Sequence, residues 1–315
     1  MADFNQKISR EVEEFFKNKR KMCLMYVMKD YDSALERILK EGVIKENRTG
    51  VDTIALFGIQ SRYRIDQHFP FLTGRKLRFE SMIGELIWFL SGSTNNEDLK
   101  NLGCKFWTPW VDEEFEKKHG FVPGSFGPVY GFQLRHFGGF YGRGINPEDM
   151  FGEKVYGAGG FDQLTYMMDR LKNHPDCRRI LFSLWNPQQM HQMRLPPCHY
   201  TFQCFVHDGK LSGELTQRSC DFPVGVPFNI AFYSAFIYML AQQTGLEPYE
   251  FVHSTVDSHI YANQIEAVEE YLARPKPDSP KLELNKADDI DLYKPDDFVL
   301  KDYDPQPTMK FEVAV

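Results

Sequence analysis

Two consecutive prolines lead into one cysteine in Arg194-Leu195-Pro196-Pro197-Cys198-His199-Tyr200, just ahead of a run, HYTFQCFV, that reads as a strand. Each proline fixes its own φ and removes an amide donor, so the backbone before the thiol is held. Such stiffening suits a sulfur aimed as a nucleophile, and equally a small apolar filler packed beside a strand start. His199 is a poor candidate for the base that would activate Cys198, because adjacent strand residues point to opposite faces. An arginine beside the sulfur would favour the thiolate instead.

Four arginines stand beside small or polar residues: Arg48 in NRTG, Arg178 and Arg179 in DCRRI, and Arg218 in TQRSCD, with Ser219 directly after it. A guanidinium fork matches phosphate oxygens two at a time, and a neighbouring hydroxyl adds a donor. Singly, each arginine fits a surface ion pair; together with a candidate nucleophile they fit a phosphate site. Glu85 sits in SMIGELIWFL among Met82, Ile83, Leu86, Ile87 and Trp88. A carboxylate in that setting is either paired structurally with an arginine or buried with a raised pKa, as a general acid–base group requires.

These side chains need a frame. YDSALERILKEG has the apolar spacing of a helix, with Gly42 as its stop, and DTIALFGIQSRYRI reads as a strand. FESMIGELIWFLSG is apolar nearly all round and predicts a buried helix, and PFNIAFYSAFIYMLAQQTG predicts a long one between Pro227 and Gly245. FDQLTYMMDRLKN predicts an amphipathic helix and RILFSLW a strand. YTFQCFV and KLSGELTQ flank His207-Asp208-Gly209, a hairpin signal. Residues 111–160, rich in Gly and Pro, predict long structured loops. The pattern predicts an α+β fold with mostly antiparallel strands and one central buried helix.

The chain of 315 residues has 42% hydrophobic and 26% charged residues, ordinary for a globular protein, and no linker or repeat divides it. Its net charge of −7 argues against a broad nucleic-acid surface, so anion binding must rest on a local cluster. No apolar stretch reaches the ~20 residues of a membrane span, and the charged N-terminus lacks a signal-peptide core. Six cysteines without Cys-x-x-Cys spacing fit neither a disulfide framework nor a zinc site, which points to a reducing cytoplasm.

From about residue 28 to the C-terminus the chain resembles the thymidylate synthase family. The resemblance is carried, in order, by NRTG, GELIWFLSGSTN, FWTPWVD, GPVYGFQLRHFG, DCRRI, WNP, LPPCHYTFQCFV, LTQRSCD, GVPFNIA, DSHIYANQ, YDPQPTMK and the terminal VAV. It implies that family's fold, a large mostly antiparallel or mixed sheet packed with helices around a long buried one, in a single catalytic domain over 28–315. Residues 1–27 would be a helical or loose extension.

The resemblance implies that dUMP is methylated with methylenetetrahydrofolate as co-substrate and without a metal. Cys198 would add to carbon 6 of the uracil, making carbon 5 an enolate carbon able to attack the folate's one-carbon unit. Glu85 is implied in the proton transfers, with Tyr130 and His199 in the surrounding network and Asp221 and Asn229 also at the reacting centre. Arg48, Arg218 and Ser219 would hold the nucleotide phosphate beside Cys220. Arg178 and Arg179 match a pair contributed across a homodimer interface. Asn229 would read the uracil edge, and His259 and Tyr261 the deoxyribose hydroxyl. Arg78, Trp107, Trp110, Asp221, Gly225, Phe228 and Ala314, beside the terminal Val315, would line the folate site.

Several positions depart from the family pattern: Gly74, Arg75, Thr216, Pro223, Phe232, Val256 and Gln264, the last where His is usual. They lie around the two pockets. The exocyclic methylene formed on the ring can take hydride from the folate, giving dTMP, or water, giving a hydroxymethyl nucleotide, so a pyrimidine nucleotide hydroxymethylase is the alternative. Trp107, Trp110, Leu195, Gly225 and Phe228 and the closing terminus favour the synthase, because they would shield the intermediate. A cytosine substrate fits less well, since Asn229 is not a carboxylate. A non-catalytic nucleotide- or RNA-binding module is disfavoured by the intact Cys198 and Glu85 and by the acidic charge.

Overall fold

The computed structural model describes residues 26–141 and 160–313. The N-terminal extension up to residue 25, loop residues 142–159, and Ala314 and Val315 lie outside the described residues. Tyr26 and Val27 are held against the body, by Asp32 Oδ2 at 2.8 Å and Ser279 Oγ at 3.0 Å.

Helix α1 (Lys29–Glu41) buries Tyr31, Ala34, Leu35 and Ile38, the face its spacing predicts. Gly42 stops it in extended rather than left-handed backbone; a Cβ there would press on the Ile38 carbonyl. Strands β1 (Val43–Lys45), β2 (Thr53–Arg64), β3 (Leu181–Ser183), β4 (His199–His207), β5 (Lys210–Asp221) and β6 (Glu247–Tyr261) form one sheet in the order β1-β2-β6-β5-β4-β3. Every pairing is antiparallel except β5 with β6. Asp208 and Gly209 turn the β4–β5 hairpin at φ 49° and 72°, the backbone of a type I′ turn.

The parallel step follows from the connection. β5 runs into α7 (Val226–Thr244), which returns along the sheet to start β6 in the same direction. Helix α7 is buried on nearly every side and ends at Gly245, φ 72°, whose amide donates to Ala241 O. Helix α2 (Phe79–Leu90) packs beside it, and Gly84 lets α2 approach the Leu102 carbonyl closely. Short helices α3 (Asn96–Asn101), α4 (Glu113–His119) and α5 (Tyr130–Arg135), then α6 (Gln163–Asn173) and α8 (Ile265–Ala273), complete the layer. A small sheet pairs β7 (Lys281–Leu284) with β8 (Phe298–Lys301).

Two expectations need correction. The described part of 111–160 is not loop throughout: α4 and α5 lie in it, too short for helical periodicity to stand out, and Asp112 caps α4 by accepting from Glu114 N and Phe115 N. The RILFSLW strand shrinks to Leu181–Ser183 on the sheet edge.

The strands do not alternate evenly. In β5 the buried positions are 211, 213, 215 and 217, then 220; in β6 they are 251–253 and 255, then, after two half-buried positions, 258–260. Gly58, at φ 79°, makes the matching irregularity in β2, and β4 shifts register between His199 and Thr201. The sheet therefore kinks along one line across four strands. Beyond that line Ser219 pairs with Asp257, Asp221 with His259, and Thr53 with Tyr261. The kink gathers polar residues of several strands at one end.

Candidate active site

Cys198 enters β4 at this end, and its carbonyl accepts from Arg218 N at 2.8 Å. The two prolines do more than stiffen the chain. Their carbonyls take Arg218: Nε donates to Pro197 O and Nη2 to Pro196 O, both at 2.9 Å. This places Arg218 Nη2 3.8 Å from Cys198 Sγ, with the guanidinium carbon 5.4 Å above the Trp185 ring. A cation beside the sulfur is what a thiolate nucleophile requires.

Tyr130 opens α5 and its hydroxyl accepts from Cys198 N at 2.8 Å. Burial first, and then the neighbouring Cys198, hold its proton far above the ordinary tyrosine range. His199 points away from Cys198, as strand geometry predicts. Its Nδ1 lies 2.8 Å from Tyr233 Oη, and its ring stacks on Phe89 at 5.7 Å. Burial, with a smaller contribution from His253, pulls its pKa down to about 3, so it is a neutral spacer at pH 7.

Glu85 is one helical turn before Phe89 on α2, on the same face. Phe89 stacks on Tyr130 at 4.7 Å, and Trp107, which bonds Glu85, lies 5.4 Å from the same ring, so Glu85 and Cys198 both border Tyr130. Trp107 Nε1 donates to Glu85 Oε1 at 2.5 Å. Glu85 is half-buried as a residue, and protein surrounds its carboxyl closely. Desolvation raises its pKa from the usual 4.5 to about 7, with the Trp107 hydrogen bond pulling the other way. Among the described residues no arginine pairs with Glu85, so the general acid–base alternative fits this geometry better than the structural ion pair.

Trp107 lies against Phe126 at 5.2 Å and Tyr130 at 5.4 Å, with Trp110 6.2 Å away. Phe228 contacts Phe106 at 4.9 Å on the first turn of α7, where Asn229 and Gly225 also stand. Asp221 accepts from Val224 N, and burial raises its pKa, against the hydrogen bond from Gln264. His259 Nδ1 is 3.0 Å from Asp257 Oδ1, and Tyr261 is 5.3 Å from the His259 ring. Ser219 and the buried Cys220 share this strand end. Arg48 is exposed on its loop but close enough to act electrostatically on the Tyr261 hydroxyl.

Arg178, Arg179 and Arg78 are not brought into this cluster. Arg78 is exposed two turns before Glu85, at the start of α2. Ile180 O accepts from Cys204 N, six residues along β4 from Cys198, which is about 20 Å away at strand spacing. Arg178 and Arg179 are exposed there, without a side-chain partner among the described residues. Ala314 lies outside the described residues. No group of His, Cys, Asp and Glu among the described residues could hold a metal ion, and no described helix is long and apolar enough to cross a membrane.

Tyr233 and Trp185 were not singled out from sequence. Tyr233 is four residues after Asn229, so the helical period could have placed it on the same face. Trp185 under Arg218 had no local signal, because the contact joins distant segments.

The thymidylate synthase family model matches residues 29–315. The chain is 44% identical over 289 residues to the thymidylate synthase of human herpesvirus 8, covering 90% of this chain and 83% of that protein. Against the thymidylate synthase of Homo sapiens it is 43% identical, covering 90% of each. The thymidylate synthase of Corynebacterium aurimucosum is 42% identical over 285 residues, covering 90% of this chain and 97% of that protein. The ordered motifs, the cleft they form and these matches over nine-tenths of the sequence agree: the chain belongs to the thymidylate synthase family.

Proposed function

We propose that this cleft converts dUMP to dTMP, with methylenetetrahydrofolate supplying both the one-carbon unit and the hydride. The observation that carries the reading is the triangle of Cys198, Arg218 and Tyr130, with Glu85 and its pKa of about 7 bordering Tyr130. In this reading the Cys198 thiolate adds to carbon 6 of the uracil. The enolate so formed needs an acid at its oxygen, and Glu85 is half protonated near pH 7. Carbon 5 then attacks the one-carbon unit of the folate, which itself supplies the electrophile and later the hydride.

Arg218 keeps its Nη1 edge for the nucleotide phosphate, aided by Ser219 and Arg48. Asn229 reads the base, and His259 with Tyr261 reads the sugar. Trp107, Trp110, Phe228, Gly225 and Asp221 line the folate side. The aromatic wall of Phe89, Phe126, Trp107 and Tyr130 keeps water from the exocyclic methylene, which favours hydride transfer. Incubation with dUMP and methylenetetrahydrofolate is expected to yield one dihydrofolate per dTMP, read by absorbance and chromatography. A hydroxymethyl nucleotide with tetrahydrofolate would overturn the hydride step.

The working unit in this reading is a homodimer in the cytoplasm, with residues 28–315 as one catalytic domain. The sheet face away from α7 exposes Phe57 at 84% and Phe205 at 66%, beside a ladder in which Gln60 donates to Ser254 and Ser254 to Glu214. A second copy on this face would cover those rings, and Arg178 and Arg179, about 20 Å from their own Cys198, could then serve the partner's phosphate. Sedimentation is expected to give twice the 36.8 kDa chain mass. Phe205→Glu is expected to shift the protein to monomer. Replacing both Arg178 and Arg179 by Ala is expected to raise the KM for dUMP by about tenfold or more.

A further inference from the structure

The last described residues run up to Gln264 beside Asp221 and are stitched down along the way. Leu77 N donates to Tyr303 Oη at 3.0 Å, Gln306 N to Thr73 O at 2.8 Å, and Arg274 Nη1 to Pro307 O at 2.8 Å. Gly74 belongs to this path, because a Cβ there would run into the Tyr271 ring and the Lys276 stem. Arg75 lies 4.5 Å over the Phe311 ring and donates to Pro223 O, tying the tail to the loop after Asp221.

The final stitch is Gln264. Its side chain is fully buried, and each of its polar atoms is used. Nε2 donates to Glu312 O at 2.7 Å and, with longer geometry, to Asp221 Oδ2 at 3.3 Å and Oδ1 at 3.4 Å. Oε1 accepts from Tyr261 N at 3.1 Å. One amide thus joins the strand end carrying Tyr261, the Asp221 carboxylate and the chain two residues short of the undescribed terminus. Beyond this bond Val313 is already 50% exposed, so Gln264 is the last anchor the tail has among the described residues.

We propose that Gln264 is a positioning residue for the folate half of the reaction, its amide holding Asp221 in place and seating the C-terminal segment over the cleft. The proposal rests on the thymidylate synthase reading of the site, and it names a role for a position where the sequence departs from the family's usual His. The residue type follows from hydrogen-bond arithmetic. A primary amide offers two N–H donors and an acceptor, which serve Glu312, Asp221 and Tyr261 together. A neutral imidazole has one donor and one acceptor and must give up one of the three. A glutamate keeps the acceptor for Tyr261, loses both donors and sets a second negative charge against Asp221.

The test compares wild type, Gln264→Glu and Gln264→His by three measurements. The first is the rate at which carboxypeptidase releases Val315 and Ala314 from the unliganded protein. The second is dUMP binding by calorimetry, and the third the KM for methylenetetrahydrofolate with kcat. In Gln264→Glu, trimming and folate KM are each expected to rise by roughly tenfold, the scale of a buried hydrogen bond left unmade. The dUMP Kd is expected to stay within about twofold, and Gln264→His to fall between the two. A change below about twofold in either trimming or folate KM overturns the proposal, as does dUMP affinity falling in step. If Gln264→Glu does not fold, Gln264→His decides by the same criteria. Should wild type make no dihydrofolate from dUMP, the reading of the reaction fails, while the trimming rates still decide whether Gln264 holds the tail.

Discussion

Cys198→Ser is expected to lower turnover of dUMP by about 10³-fold or more, with little change in dUMP affinity or in melting temperature. The serine hydroxyl is close in size to the thiol, so the prolines, the Arg218 clamp and the Tyr130 bond to the residue 198 amide all persist. What disappears is the sulfur nucleophile itself, held 3.8 Å from Arg218 Nη2. Single-turnover kinetics with dUMP and methylenetetrahydrofolate, with dUMP binding by calorimetry, read the two effects separately. Loss of dUMP binding in parallel with turnover would make Cys198 a packing residue instead. Turnover at the wild-type rate would sink the nucleophile assignment outright.

The second large effect is expected for Glu85→Gln: kcat/KM should fall by about 10²- to 10⁴-fold, the usual contribution of a positioned acid or base. Gln keeps an oxygen for Trp107 Nε1, so the indole stays in place and the loss reports the proton. In wild type the Glu85 pKa of about 7 should appear as a decline in kcat/KM as pH rises through that value. The decline follows because the protonated form is the one that serves the enolate oxygen, and it should be missing from the variant.

The same group makes an opposite prediction for stability. Burial raises its pKa from 4.5 to about 7, so between those values the folded chain keeps a proton that the unfolded chain has released. Its contribution is complete below about pH 4.5 and is lost as pH rises through about 7. Glu85→Gln should therefore be more stable than wild type above pH 7, by on the order of 2 kcal/mol, and nearly equal to it at pH 4.5. Melting curves at several pH values check this. A variant less stable than wild type at pH 8 would mean that the carboxylate is held by contacts that gain from its charge.

Much of this site was legible in linear form. The apolar run around Glu85 and the pair of prolines before Cys198 each carry a local physical meaning, and so does the Asp208-Gly209 turn. These depend on propensity and on neighbours a few residues away, which a one-dimensional reading can follow. The sequence by itself therefore singled out Cys198 as a candidate nucleophile, Glu85 as a candidate acid–base group, Arg218 as a candidate phosphate ligand, and the buried helix that carries Asn229. It also determined that His199 turns its back on Cys198, because strand alternation is a local rule.

What the tertiary structure decided is where these residues meet. Alternation along β5 predicts that positions of like parity stay on one face, yet the buried set slips between 217 and 220. That slip has meaning only because β6, β2 and β4 are irregular at the same level, and it turns Ser219, Asp221, His259 and Tyr261 toward one end. The Arg218 clamp on two proline carbonyls joins segments about twenty residues apart, and the Gln264 link to Glu312 spans 48. Likewise, β3 pairs with β4 in a register that carries Arg178 and Arg179 away from their own Cys198. Hydrogen bonds between distant segments depend on register and close approach, which composition and periodicity do not encode.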